Sequence, residues 1–383
     1  MVKRYTNYDL SGRNTFRMKV RCALYVEVTE EADLLTLDWD ALPQPVMVMG
    51  GGSNLLFTGN FPGTILHVAI HFIDSPVILS ASEESQTTNT PEDKVMVNVG
   101  SGVEFDQFCA WAAAQNLWGP ENLSLIPGEC GASAVQNIGA YGVEAKDIIS
   151  EIRAFDKKER VFVTINPAQC AYGYRTSRFK TDWKGRYVIT AVTYCLSRTP
   201  QPKLDYGGVR KALEMRSFVA FAPQDDKDHK ADKQRPLCHS ERSEESPLTP
   251  QIIRDTIIGI RNQKLPDPAV TGSAGSFFCN PVIDKDHFAR IVAAAQKDNG
   301  PDYQVPHYEV GDRIKVPAAW MIEQCGFKGA VNGGAQVYPK QPLVIVNASG
   351  SATPQEVIGL EQQVIAAIEA KYGITLHPEV EHI

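Results

Sequence analysis

Between Ile126 and Gly142 the chain sets Gly128, Gly131, Gly139 and Gly142 among the small residues Ala132, Ser133, Ala134 and Ala140. Little side-chain bulk there would keep a ligand off the backbone. Glycine also reaches backbone angles that turn consecutive N–H groups toward one point, which suits an anionic diphosphate. A second segment of this kind, Gly50-Gly51-Gly52-Ser53-Asn54-Leu55-Leu56, follows the apolar run Pro45 to Met49. One glycine-rich loop alone reads as a tight turn. Two of them, each beside apolar strand-like sequence, predict a large phosphate-bearing cofactor held mainly by backbone.

Neither loop fits the commoner nucleotide motifs. No G-x-G-x-x-G opens a helix in a βαβ unit, and no G-x-x-x-x-G-K-[ST] occurs. A Rossmann unit and a P-loop are therefore not expected, which leaves a cofactor fold with loops of its own.

The elements that must carry these loops show in the periodicity. Glu30–Leu37 reads as a helix, and Gly63–Phe72 and Val95–Val99 read as strands. Phe105–Asn116 has helical spacing of Phe105, Phe108, Cys109, Ala112 and Ala113, so it should pack on the cofactor sheet. Ile148–Phe155, Glu159–Ile165 and Tyr187–Leu196 read as strands. Thr249–Asn262 is an amphipathic helix with Ile252, Ile253, Ile257 and Ile260 as its stripe. Asp284–Lys297 and Gln355–Tyr372 read as helices flanking strands such as Leu343–Val346, an alternation that predicts an α+β domain.

Two stretches interrupt this order. Ser75–Lys94 is polar and reads as a hairpin insertion with a mobile tip. Ala222–Leu248 is rich in Asp, Lys, Glu, Ser and His, and cannot bury enough apolar surface to offset its ordering entropy. A disordered insertion over 224–247 is the expectation. His229, Cys238 and His239 fall inside it at irregular spacing, so no metal site is read from them.

At 383 residues the chain exceeds one typical core and predicts two or three domains. A net charge of −7 makes nucleic acid a poor partner. The eight cysteines are scattered with no C-x-x-C, which favours free thiols over a zinc site or a disulfide framework. Met1 to Arg21 lacks a secretory apolar stretch, and no run is long enough to span a membrane. A cytoplasmic, membrane-free monomer is expected.

Further motifs lie in order along the chain. Tyr172-Gly173-Tyr174-Arg175-Thr176-Ser177-Arg178-Phe179-Lys180 is followed by Gly275-Ser276-Phe277-Phe278-Cys279-Asn280-Pro281. Ala318-Ala319-Trp320-Met321-Ile322-Glu323, Gly333-Gly334-Ala335-Gln336-Val337 and Pro378-Glu379-Val380 come after them. With the two glycine loops, this series resembles the family of UDP-N-acetylenolpyruvoylglucosamine reductases, flavoenzymes of bacterial peptidoglycan synthesis. The resemblance runs from Asn14 to Val380, nearly the whole chain.

What the resemblance implies about fold is α+β. A two-part FAD-binding region of the vanillyl-alcohol-oxidase/PCMH type would take residues 1–73, with 373–383 returning to it, and 74–265. A substrate-binding α+β domain would take 266–372. It also implies FAD and NADPH as cofactors, and UDP-N-acetylglucosamine enolpyruvate as the substrate reduced to UDP-N-acetylmuramate.

The implied reaction adds hydride to C3 of an enol ether and a proton to C2. It proceeds only if the attached carboxylate accepts the developing charge, so a cation and a proton donor are required. The resemblance gives the first role to Arg175, whose planar fork suits a carboxylate. Arg178 and Lys180 nearby show that basic residues alone mark nothing. It makes Ser276 the proton donor, although a serine in such a loop is by default a turn residue. Ser273 is a decoy. Glu379 takes a place beside the arginine.

For the cofactor, Gly50, Gly51, Gly52, Ser53, Asn54 and Leu55 are assigned, with Pro127, Gly128, Gly131, Ala132, Ser133, Gln136, Asn137, Gly139, Ala140 and Tyr141. Asn54, Ser133, Gln136 and Asn137 are the expected polar contacts. For the substrate the resemblance points to Tyr174, Tyr206, Lys264, Asn280, Tyr308 and Gln341. Tyr206 and Tyr308 imply the longer subtype, in which a tyrosine loop covers the substrate. Two departures stand out: Cys279 sits where many relatives carry lysine, and Glu381 where a basic residue usually follows the last motif.

Two other readings compete. A different flavin oxidase on the same cofactor fold would keep the glycine loops but lack the Arg175, Ser276 and Glu379 motifs. A non-catalytic flavin or nucleotide-sugar sensor would lose the acid or the carboxylate clamp, whereas all three residues are present. The inserted segment has no part in the implied chemistry. Deleting residues 226–245 is expected to leave turnover intact, and a large loss with flavin still bound would refute this.

Overall fold

The structure is a computed structural model that describes residues 2–74, 93–220 and 248–383. The tip of the first insertion, 75–92, and the 224–247 segment lie outside the described residues.

Lys3–Asp9, Arg21–Val28, Phe61–Val68 and Val46–Val48 form a four-stranded sheet in that spatial order. The first pairing is antiparallel and the next two are parallel. Strands paired in parallel need cover on both faces. Here Cys22, Tyr25 and Ile65 enter one core, while Val26, Val28, Leu66 and Val68 enter another with Leu34, Leu37 and Trp39. The helix Glu31–Thr36 supplies part of that second cover.

A five-stranded antiparallel sheet follows, in the order Val161–Ile165, Ile149–Asp156, Tyr187–Ser197, Lys94–Gly100, Ile73–Asp74. The helix Phe105–Ala114 buries Phe105, Phe108, Cys109, Ala112 and Ala113, the stripe that the spacing predicts. These residues share a core with Val97, Val99, Val192 and Tyr194 of the sheet. The helix Pro250–Lys264 begins at Thr249, whose hydroxyl accepts from Ile252 N at 3.3 Å. It is tied to the first helix by Arg254 Nη2 donating to Asp106 Oδ2 at 2.8 Å.

The C-terminal part has one sheet ordered Gly272–Ser273, Ile345–Asn347, Ala335–Val337, Val331–Asn332, and another ordered Val282–Ile283, Arg313–Lys315, Tyr308–Val310. Helices Lys285–Asn299, Ala318–Gln324 and Pro354–Tyr372 pack with them. The last is closed at its start by a reciprocal cap between Thr353 and Glu356, and at its end by Gly373 at φ 64°. This part does not have a separate core. Leu10, Phe16 and Met18 from the start of the chain are buried with Phe277, Phe278, Ile345 and Leu360.

Three helices were not legible as such: Cys130–Gln136 inside the second glycine-rich segment, Val209–Ala220, and Ala318–Gln324. The first is seven residues of Cys, Gly, Ala, Ser, Val and Gln, too short and too uniformly small to show an apolar period. Among the described residues no helix is long and apolar enough to cross a membrane. Their seven cysteines are free thiols.

The final strand, Glu381–His382, pairs in parallel with Leu55–Leu56, directly behind the first glycine loop. Glu381 N donates to Asn54 O at 3.0 Å, Ile383 N to Leu56 O at 2.9 Å, and Thr58 N to Ile383 O at 2.8 Å. Removing residues 381–383 should cost about 2–3 kcal/mol of local stability, at about 1 kcal/mol net per bond. The check is flavin retention during gel filtration beside a thermal melt. Retention and melting equal to those of the intact chain would show that the strand does not brace the loop.

Candidate active site

The two glycine segments face each other. A Cβ added at Gly51 would lie 3.5 Å from Gly128 Cα, and Ser53 Oγ donates to Pro127 O at 3.1 Å. Gly52 adopts φ 62°, and a Cβ there would come within 2.2 Å of Arg13 O, so no other residue fits the turn. Beside this contact a cavity of about 500 Å³ opens between the two sheets. Gly50 to Leu55 and Gly131, Ala132 and Gln136 line it, with Trp183 and Tyr187 and the tail residues Glu381 and His382. A size of a few hundred Å³ with an apolar, glycine-bordered wall is that of a ligand cleft. A diphosphate-linked flavin fits the donors and the bare backbone found there.

A smaller chamber of about 140 Å³ adjoins it and shares Ser53, Asn54, Glu129, Ala132 and Gln136 with the cleft. Its further lining brings together Arg175, Ser276 and Glu379, residues far apart in sequence. Arg175 sits in a tight turn in which Gly173 N donates to Thr176 O at 3.0 Å. Its φ of 57° is rare for a side chain of this size and is held by anchored neighbours. One guanidinium nitrogen donates to Gly139 O, and Nη1 donates to Asn137 O at 3.5 Å. Arg175 Nε lies 3.1 Å from Glu379 Oε1, without hydrogen-bonding alignment at Nε.

Glu379 is placed by its backbone: its N–H donates to Phe277 O at 2.8 Å, and its carbonyl accepts from Asn54 Nδ2 at 2.9 Å. Phe278 and Pro378 form a bridge beside it, so the strands carrying Ser276 and Glu379 run antiparallel. Burial pushes the Glu379 carboxyl above its ordinary range, while Arg175 and Lys180 pull it back. Lys180, discounted in sequence as one basic residue among several, also donates to Arg175 O at 3.4 Å. Arg178 turns away to Asp182 at 3.3 Å.

A third group lies alongside. Tyr206 and Tyr308 stack with ring centroids 5.3 Å apart, and burial with the neighbouring phenol pushes Tyr206 up to about 12. Asn280 Nδ2 approaches Tyr174 Oη at 3.5 Å. Lys315 Nζ stands over both Tyr174 at 5.2 Å and Tyr308 at 5.6 Å. Four of the six expected substrate residues are thus assembled. None of the six lines the cleft or the chamber; Lys264 is exposed at the end of its helix, and Gln341 lies in the turn before Ile345–Asn347.

Two expected cofactor contacts have their polar atoms engaged elsewhere. Asn137 is fully buried, donating to Gly173 O at 2.8 Å and accepting from Lys146 N at 3.0 Å. Ser133 Oγ borders the chamber but donates to Cys130 O at 2.7 Å and meets Tyr194 Oη at 2.9 Å. Ala140 and Tyr141 line neither cavity; Ala140 pairs with Val143, and the Tyr141 ring fills the space beside Gly207.

Sequence reasoning passed over Arg261 and Lys315. Arg261 borders the chamber, donates to Leu125 O at 3.2 Å and is shifted downward by burial. Its signal was its place three residues before Lys264 on one helix, where i and i+3 share a face. Lys315 had no signal in sequence, being one basic residue in a short strand, the central one of its three-stranded sheet. Cys279 is half-buried, its thiol pushed up to about 11 chiefly by burial.

Residues 22–164 match a family model described as an FAD binding domain. Residues 267–383 match the C-terminal domain of UDP-N-acetylenolpyruvoylglucosamine reductase. The enzyme of that name from Bacteroides fragilis (strain YCH46) is 39% identical over 380 residues, 98% of this chain and 99% of its own. Those from Porphyromonas gingivalis (strain ATCC 33277) and Chromobacterium violaceum are 39% and 38% identical over 381 and 376 residues. Each of these alignments covers at least 97% of this chain and 96% of the relative. The crystal structure of the reductase from Thermus caldophilus superposes with a TM-score of 0.59 at 19% identity, covering 100% of this chain and 98% of that one, a likeness of fold. With a glycine-lined cleft for flavin and an Arg175–Glu379–Ser276 chamber beside it, the chain belongs to the family of UDP-N-acetylenolpyruvoylglucosamine reductases.

Proposed function

We propose that the protein reduces UDP-N-acetylglucosamine enolpyruvate to UDP-N-acetylmuramate for peptidoglycan synthesis, with NADPH as the reductant. The observation that carries this reading is the convergence of Arg175, Glu379 and Ser276 on one small chamber that opens from the glycine-lined cleft. FAD, bound in that cleft by Gly50 to Leu55 and Pro127 to Gln136, supplies hydride acceptance from the nicotinamide and hydride delivery to the substrate.

The chain's own residues make that delivery productive. Arg175, held by two backbone carbonyls, presents its remaining charge to the enolpyruvyl carboxylate and stabilises the charge that develops there. Burial raises the Glu379 carboxyl above a free glutamate, which weakens its repulsion of that carboxylate, and Arg175 beside it offsets what charge it keeps. Ser276 follows Gly275, at φ 72°, and faces the same chamber, where it delivers the proton to C2. Tyr174, Tyr206, Asn280, Tyr308 and Lys315 serve the nucleotide-sugar end. Lys264 and Gln341 belong to the same reading as residues for the outer part of the nucleotide.

The division of labour we infer is residues 1–73 with 373–383 and 74–265 for FAD, and 266–372 for substrate. The working protein would be a cytoplasmic monomer needed for cell shape and division, with neither nucleic acid nor membrane as partner.

The decisive experiment is anaerobic and reads flavin absorbance after NADPH and then after the enolpyruvyl substrate. Bleaching and recovery are expected; bleaching without recovery would remove the reductase reading and leave an oxidase or a sensor. In Ser276→Ala, bleaching should stay fast and recovery slow by about 100- to 10,000-fold, the usual weight of a positioned acid. Equal slowing of both steps would make Ser276 a positioning residue. The Glu379 carboxyl can be followed by its infrared C=O band against pH. Since Arg175 and Lys180 lower its pKa, Arg175→Ala should move that midpoint further up; an unchanged midpoint would break the electrostatic coupling.

A further inference from the structure

A row of charged side chains crosses the first sheet and ends inside the cofactor cleft. Lys3, Glu27 and His67 occupy directly paired positions on three neighbouring strands, so they share one face. Lys3 Nζ donates to Glu27 Oε1 at 2.6 Å, and Arg13 Nη2 stands 3.6 Å from Glu27 Oε2. His67 Nδ1 lies 3.5 Å from Glu27 Oε2, and Nε2 lies 2.9 Å from Glu129 Oε1. His67 is 5% exposed and packs near the Tyr25 ring, 6.2 Å away. A carboxylate only accepts hydrogen bonds, so Nε2 carries the hydrogen directed at Glu129.

The row therefore fixes one oxygen of Glu129 and leaves the other free. Oε2 is directed at the first glycine loop, where a Cβ on Gly50 would lie only 2.9 Å from it. Glu129 is also one of the few residues that border both the large cleft and the reaction chamber. It thus marks the passage between them. A carboxylate there is the wrong partner for a diphosphate, which would be repelled, and the right one for a group that donates. In FAD the segment between diphosphate and reacting ring is the ribityl chain, which carries three hydroxyls and no charge.

We propose that Glu129, positioned by His67, accepts a hydrogen bond from a ribityl hydroxyl of the flavin. The assignment rests on the flavoenzyme reading above. It gives the sheet a function beyond support, because Lys3 and Arg13 fix Glu27, whose carboxylate stands 3.5 Å from His67 Nδ1 without a hydrogen bond there, and His67 holds the acceptor through Nε2. The glycine at position 50 leaves room for the carboxylate to reach the cofactor.

The test uses full-length apoprotein, FAD, and three FAD analogues lacking the 2′-, 3′- or 4′-hydroxyl of the ribityl chain, with affinity read from flavin fluorescence. Glu129→Ala should weaken FAD binding about tenfold or more, the range of a hydrogen bond to a charged group. One deoxy analogue should lose a similar factor on the wild type, and Glu129→Ala with that analogue should lose no more than either change alone. His67→Ala should weaken FAD binding several-fold, and His67→Gln, which can donate from near the Nε2 position, should restore it. Glu129→Gln, close to isosteric, carries the test if thermal melts show that the alanine variant does not fold. Its neutral carbonyl should give a smaller loss, again only with cofactors bearing the hydroxyl. Analogues that bind the wild type as tightly as FAD, or losses that add fully, overturn the assignment while leaving the flavin site standing. A wild-type chain that binds no FAD removes the flavoenzyme reading itself.

Discussion

The active chamber depends on a backbone junction at Asn54. The side-chain amide of this residue donates to Glu379 O at 2.9 Å, while its own carbonyl accepts from Glu381 N at 3.0 Å. Glu379 N in turn donates to Phe277 O at 2.8 Å, one residue beyond Ser276. Three distant segments, the first glycine loop, the serine loop and the C-terminal strand, are thereby locked in register by two main-chain bonds and one from the Asn54 side chain. Side chains placed from a fixed backbone hold their geometry without large ordering cost at the moment of reaction. Asn54 was expected as a cofactor contact by virtue of its amide; it borders both cavities, and its Nδ2 also sets the position of Glu379.

That junction also explains why the first and last parts of the chain share a core. Phe16 O accepts from Asn347 Nδ2 at 3.2 Å, and Ser273 N donates to Thr15 O at 2.9 Å, so the serine loop is docked on the N-terminal segment as well. Phe277 is fully buried against Phe16, with ring centroids 6.3 Å apart. A substrate domain that moved freely against the cofactor region would break this packing. The tyrosine-bearing elements around Tyr206 and Tyr308 are joined differently, through stacked rings of which Tyr308 is exposed.

Much of this was legible in sequence because it is written in local pattern. Phe105, Phe108, Cys109, Ala112 and Ala113 repeat at helical spacing and are the buried face of their helix. The glycine segments announced a cleft because only glycine tolerates such close approach. Arg175, Ser276 and Glu379 came from motif resemblance, and spacing would not have joined them. The misreadings share one cause: a polar side chain's type does not say which partner reaches it first. Asn137 and Ser133 are consumed by Gly173 O and Cys130 O, contacts made by chain segments that only the fold brings near. Lys315 and Glu129 became visible for the same reason, since their significance lies wholly in what faces them.

The two departures from the family pattern can be understood by charge. Cys279 stands where the resemblance leads one to expect lysine, and its thiol is held neutral by burial and by the nearby Glu379. Lys180 still acts on Glu379, and Lys315 stands against Tyr174, so cations remain on both sides of the missing one. At the other departure, Glu381 projects toward Lys184 on the opposite wall of the cofactor cleft and pairs with it. Both side chains are substantially exposed, so the pair adds little to stability. Its effect is to cancel the charge of Glu381 on the wall of the cleft. The charge of Glu381 is met by a lysine from a different segment, so the tail and the facing wall of the cleft are joined by one ion pair.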